Sequence, residues 1–192
     1  MNKYLNLVMY NSKKKIILFI VLISCTSFSQ SKNIPDRILT YGLSNYNKQK
    51  AMEFVGKKWD IEVYPVAGCM VSQELIDSVK TVHSKLWKKM DSIHGMDSKK
   101  RFKKETIAEM KRIGAVQKIF NSDRDIKRRI RKIKRRKGKA TFNLENISNN
   151  GKIYYWTVYS FEDKNNPEYK WKPEFKVGVN LVKKNTTIIE LK

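Results

Sequence analysis

Past residue 72 the apolar residues of this chain change their spacing once, and that change decides the fold class. Between residues 72 and 133 they recur at three- and four-residue steps, the period of a helix with one buried face. From residue 140 onward they alternate every second residue, as in a strand. A run of helices followed by a run of strands is the pattern of an α+β protein, with helices segregated from an antiparallel sheet. The expected architecture is therefore N-terminal helices with one strand, followed by a C-terminal four-stranded antiparallel β-meander.

Within the helical part, residues 44–58 read as a short helix with Ser44 as its cap, Ala51, Phe54 and Val55 on one side, and Gly56 ending its regular part. Residues 59–64 alternate apolar and polar side chains, a half-buried strand closed by Pro65 and Gly68. Ser72 caps the most periodic helix, where Leu75, Val79, Val82, Leu86, Met90 and Ile93 form one stripe and Gly95 stops it. A further helix from Lys99 aligns Phe102, Met110, Ile113, Val116 and Phe120 and is interrupted at residues 121–123. The interruption is geometric. At about 100° per residue, the later stripe of Ile126, Ile130 and Ile133 is rotated roughly a third of a turn from the earlier one, so one straight helix cannot bury both. A separate basic helix over residues 125–137, capped by Ser122 or Asp123 and leaving at Gly138, removes the conflict.

In the strand part, Phe142 and Leu144 face one way and Thr141, Asn143 and Glu145 the other, and Asn150-Gly151 is a hairpin signal. Residues 153–161 are so rich in aromatic and β-branched side chains that both faces are expected to be covered. After a turn at 165–167, Tyr169, Trp171, Phe175, Val177, Val179 and Leu181 face one side while Lys170, Lys172, Glu174 and Lys176 face the other. Pro173 requires that this strand lie at an edge or carry a bulge. Residues 186–191 form the last strand.

The N-terminus carries an export pattern. Lys13, Lys14 and Lys15 precede the apolar run 16–23, far shorter than the about 20 residues of a spanning helix. The small residues that follow offer two incompatible processing sites. Leu22-Ile23-Ser24-Cys25 resembles a bacterial lipobox, which implies acylation of Cys25 and an anchored lipoprotein. Ser27-Phe28-Ser29 is a small-x-small site, and the ending Ser-Phe-Ser-Gln is similar to the signal ends of exported bacterial proteins, which implies a soluble product starting at Gln30. The expected organisation is a signal segment over 1–29, or 1–24 if lipidated at Cys25, and a single α+β domain over 30–192. That domain is mainly helical over 30–139, with a basic helix at 124–139, and has antiparallel strands over 140–192. The expected location is the cell envelope, as a periplasmic protein or outer membrane lipoprotein, or outside the cell.

Charge bounds the partners. The chain carries +23, and a leader that removes Lys3, Lys13, Lys14 and Lys15 with no acid leaves +19. Such a surplus attracts polyanions, although it does not choose among them. It is concentrated in one tract, where Arg124, Lys127, Arg128, Arg129, Arg131, Lys132, Lys134, Arg135, Arg136, Lys137 and Lys139 are opposed by Asp125 alone. Arg124, Arg128, Lys132 and Arg136 form one ladder of like charges and Lys127, Arg131, Arg135 and Lys139 another, each pair costing a few tenths of a kcal/mol in an isolated helix. A phosphate-rich surface would relieve that repulsion and release counterions, which makes the tract a candidate polyanion-binding element. The plainer reading is a solvated helix face.

No catalytic, metal or nucleotide motif accompanies it. Cys69 precedes the Ser72 cap, where a helix N-terminus can lower a thiol pKa, but no spacing brings His83 or His94 to it, and a small buried cysteine is the expected outcome. With Cys25 removed or acylated, Cys69 has no partner for an internal disulfide, so the domain must hold by packing. Asp91, His94 and Asp97 straddle a glycine and are too few and too mixed for zinc. Tyr154, Trp156, Tyr159 and Trp171 would suit stacking on bases or sugars, but aromatic strands are more often core. The expectation is a non-catalytic protein without cofactor or metal. It would meet anionic lipid, polysaccharide or an acidic protein through the basic helix, at the membrane by that helix or a lipid anchor. A nucleic-acid-binding module is the alternative, which the export pattern disfavours. A thiol-dependent enzyme using Cys69 ranks third.

Overall fold

Among the described residues, a parallel β-α-β unit comes first and an antiparallel meander last, with the long helices between them. The structure, a computed structural model, describes residues 36–42, 45–68, 70–161 and 171–191. The export leader with Cys25, the expected cap Ser44, Cys69, and the turn at 165–167 with Tyr169 and Lys170 lie outside the described residues. The elements are β1 (Asp36–Tyr41), α1 (Tyr46–Lys58), β2 (Ile61–Ala67), α2 (Gln73–His94), α3 (Ser98–Ser122), α4 (Arg124–Lys137), β3 (Ala140–Ile147), β4 (Ile153–Phe161), β5 (Trp171–Asn180) and β6 (Asn185–Glu190). The α+β class and the C-terminal meander, in the order β3-β4-β5-β6, are as expected.

Among its described residues the N-terminal half holds two strands rather than the one expected. β1 pairs in parallel with β2, from Asp36 opposite Ile61 to Tyr41 opposite Ala67. Only Ile38 of β1 is buried, so the segment shows no alternation by which a strand could be read. β2 starts at Ile61 and passes through Pro65. Among the described residues it pairs with β1 alone, and proline is tolerated on a strand edge that needs no ladder donor. Trp59 is the C-cap of α1, and Asp60, at φ 54°, turns the chain into β2. Gly56 does not end α1 but lies inside it, for a reason of packing discussed below. The N-cap is Asn45, whose side chain accepts from the amides of Asn47 and Lys48.

Two apolar clusters form the core, joined through α1 and α3. In one, Ile38, Val55, Trp59 and Ile61 meet Leu86 and Met90 of α2 and Phe102 of α3. In the other, Ala51 and Phe54 of α1, Ile113, Val116 and Phe120 of α3, and Ile126 and Ile133 of α4 cover the inner face of the meander, including Leu144, Tyr154, Trp156, Val158, Phe175, Val177 and Val179. The two stripes that one straight helix could not bury together reach the same cluster because the chain breaks at Asp123 (ψ 127°) and continues as a second helix. On α2 the buried face is rotated from the expected stripe. Val79, Leu86 and Met90 are buried, His83 and Trp87 half-buried, but Val82 and Ile93 are exposed.

The meander obeys its period with two irregularities. One interrupts the β3 register between Leu144 and Asn146. The other sets Val158 opposite Phe175 but Tyr159 opposite Pro173. β6 pairs only with Phe175–Asn180, so Pro173 lies where β5 has β4 alone beside it, next to the bulge. Tyr154 and Trp156 point into the core, while the opposite face of β4 is half-buried apart from Thr157. A buried ion-dipole contact ties α3 to this sheet: Glu109, 3% exposed, accepts the Tyr154 hydroxyl at 2.8 Å and an Arg112 N–H at 3.3 Å.

Candidate functional site

The basic tract folds as α4 for local reasons that the sequence contains. The Asp123 carboxylate accepts the amides of Asp125 (2.8 Å) and Ile126 (3.0 Å), and Gly138, at φ 79°, donates to the Lys134 carbonyl to close the helix. Asp123 also accepts the Thr186 hydroxyl of β6. Burial alone would raise the Asp123 carboxyl, but the hydrogen bonds from Thr186, Ile126 and Asp125 outweigh it and hold the group below the usual carboxylate range. The cap thus stays ionised and anchors α4 to the sheet edge.

The helix separates its charges by face. Ile126 and Ile133 are buried, with Ile130 partly buried between them. Two cations share that side and have acidic partners: Arg129 meets Glu190 at 2.6 Å and lies over the Phe175 ring, while Lys137 meets Glu174 at 2.9 Å. The Ser160 hydroxyl at 2.6 Å, working against burial and helped by Lys137 and Arg136, holds Glu174 below its ordinary range. Arg124, Lys127, Arg128, Arg131, Lys132, Lys134, Arg135, Arg136 and Lys139 are all exposed. Of these nine, only Arg128 has an ion pair among the described residues, with the exposed Asp125 one turn back. At about 100° per residue, Arg124, Arg128, Arg131 and Arg135 lie at the centre of the outward arc, opposite the isoleucines. Lys139 follows the helix, its ammonium 5.7 Å from the Phe161 ring centre.

One flank of α4 opens into a hollow of about 390 Å³ against β5 and β6, lined by Arg128, Arg129, Lys132 and Arg136 and by Glu174 and Glu190. Those two carboxylates make it an ion-pair seam rather than a purely cationic pocket. Their role was not legible in the sequence, because Glu174 sits on the nominally wet side of β5 and reaches α4 only through the bulge beside Pro173. The chemistry left to the helix is electrostatic, a convex surface of ammonium and guanidinium groups suited to phosphates and carboxylates.

The other singled-out residues do not assemble into a site. His83 Nε2 accepts the Leu39 amide at 3.0 Å, and the His94 ring lies 4.7 Å from that of Trp59. Asp91 accepts the Ser98 amide at the start of α3, so it serves as a local cap. Among the described residues, no three His, Cys, Asp or Glu side chains are grouped to hold a metal ion. The four aromatic residues considered for stacking are divided: Tyr154 and Trp156 are core, Tyr159 donates to Glu145, and Trp171 is exposed beside Phe161. No described helix is long and apolar enough to cross a membrane. Compared with protein-family models, curated proteins and solved structures, the chain matches none.

Proposed function

We propose that this is an exported, non-catalytic protein of the cell envelope, periplasmic, lipid-anchored or secreted, whose α4 docks on anionic envelope components such as acidic lipid headgroups or polysaccharide. The segregation of charge on α4 carries the reading. Three isoleucines face the protein, Arg129 and Lys137 on that side are paired with acids of the sheet, and the other eight cations of the helix are exposed, with Lys139 just beyond its end. Docking through the isoleucines holds the arc in place despite its internal repulsion, so a partner meets a preformed cationic surface. The location rests on the lysines and apolar run before Cys25, and intact-mass measurement of the mature N-terminus with cell fractionation tests it.

The electrostatic reading is tested by replacing Arg128, Arg131, Lys132 and Arg135 together with Gln. All four are exposed and none contributes to the core. The fold is expected to survive, and binding to vesicles containing phosphatidylglycerol, or to heparin, to weaken strongly. Its salt dependence should become shallower by up to about 3 log units per log unit of salt if all four charges meet the polymer. Unchanged binding with an unchanged slope would leave α4 as a solvated face. Duplex DNA at matched salt is the comparison arm, and a marked preference for it would favour the nucleic-acid reading.

A further inference from the structure

Away from α4, the walls of β1, α1, α2 and α3 enclose a cleft of about 480 Å³, within the range of small-molecule sites. Its floor is apolar, formed by Ile38, Met52, Trp87, Phe102 and Met110, and Ile107 at the mouth remains 42% exposed. Three ammonium groups stand around it, Lys48 on α1 and Lys99 and Lys103 on α3, and none has an ion-pair partner among the described residues. Nearby lysines differ in this respect. Lys50 holds Glu53 and Lys89 holds Asp36.

On α3, Lys99, Lys103 and Ile107 follow one another at four-residue steps, so a single line on the helix passes from cationic to apolar. His83 borders the same cleft, and its Nε2 is occupied as an acceptor by the Leu39 amide. Burial, with Lys99 adding to it, keeps the imidazole below its ordinary pKa and therefore neutral at neutral pH. The rim is thus cationic at its lysines and uncharged at its histidine, above a floor with no carboxylate.

We propose that this cleft binds a single-chain anionic amphiphile of the fatty-acid class, with its carboxylate against Lys99 and Lys103 and its chain over Ile107, Phe102 and Trp87. An uncharged apolar ligand would leave the three ammonium groups unmatched, and a small anion would leave the apolar floor wet. A charged head on an apolar tail satisfies both.

The test is calorimetric titration of the full chain with laurate below its micelle concentration, beside dodecyltrimethylammonium, which has the same tail and the opposite charge. Laurate should saturate at one per chain, and the cationic amphiphile should not. Lys99→Glu combined with Lys103→Glu should weaken laurate binding about tenfold or more, as should Ile107→Asp. All three positions are exposed, so circular dichroism should show the fold intact, and the lysine pair decides alone if the Ile107 variant does not fold. The four-fold Gln variant of α4 should bind laurate as the unmodified protein does. The proposal is overturned by an absence of saturable laurate binding, by equal binding of both amphiphiles, or by loss of binding in the α4 variant with the cleft variants unaffected.

Discussion

Gly56→Ala should destabilise this protein, although a glycine within a helix is ordinarily improved by alanine. Helix propensity alone favours the substitution by about 1 kcal/mol. At this position, however, an added Cβ would lie 2.5 Å from the Ile61 carbonyl oxygen and 3.4 Å from Val63 Cγ2. The first of these is backbone and cannot rotate away. Restoring an ordinary contact of about 3.4 Å requires α1 and β2 to separate by about 0.9 Å, and only Trp59 and Asp60 join them. Asp60 already holds φ 54°, and Ile61 is 4% exposed in the first core cluster, so the displacement strains a turn and opens a packed interface. Overpacking of this kind costs about 1–3 kcal/mol, with the upper end expected where backbone meets backbone. Subtracting the propensity gain leaves a net loss of about 1–2 kcal/mol. Gly114→Ala is the control. It lies in the middle of α3, nothing is within 4 Å of its Cβ position, and the change should stabilise by about 0.5–1 kcal/mol. Equilibrium unfolding in urea at unchanged slope measures both. Midpoints that move in the same direction would refute the close-approach argument.

Leu86→Ala, which empties a 5% exposed position in the cluster with Met90 and Phe102, should cost about 2–5 kcal/mol by the same measurement; a near-neutral result would mean the cluster collapses without penalty. Tyr154→Phe removes the hydroxyl that Glu109 accepts inside the protein and should cost about 1.5–3 kcal/mol, the range for a hydrogen bond to a charged group. If it proves neutral, Arg112 suffices to hold the carboxylate. Stability should also fall as pH drops below 6.5, because burial and Lys99 depress the His83 pKa in the folded protein and the unfolded chain takes up the proton first. The contribution is fully present above 6.5 and is lost as pH falls toward the folded value. His83→Gln should flatten this part of the stability profile without changing the separate loss at lower pH, where Asp123, Glu145 and Glu174 are protonated. A slope unchanged by His83→Gln would assign the dependence to other groups.

Features with a local cause were legible in the sequence alone. The helical and strand periods, the cap at Ser72, the stop at Gly95 and the break between the Phe120 and Ile126 stripes all follow from neighbouring residues, and α2, α4 and β4 stand where those signals put them, while the choice of Asp123 over Ser122 as the cap of α4 came from the structure. The surface character of the basic tract was equally local, because eleven cations cannot all be buried and three isoleucines define which side docks. What depended on distant partners was not legible. β1 is a strand because β2 lies beside it, and its own side chains barely alternate in burial. Gly56 resembles a helix stop, yet it is required where a carbonyl from the next element approaches. The inward face of α2 turned toward His83 and Trp87 because α3 and β1 pack there, leaving Val82 and Ile93 in solvent. The lysine-rimmed cleft likewise exists only where β1 and three helices converge. Periodicity specifies that a helix has an apolar side and where its ends lie, but the angle at which neighbouring elements meet that side is set by packing across the whole core.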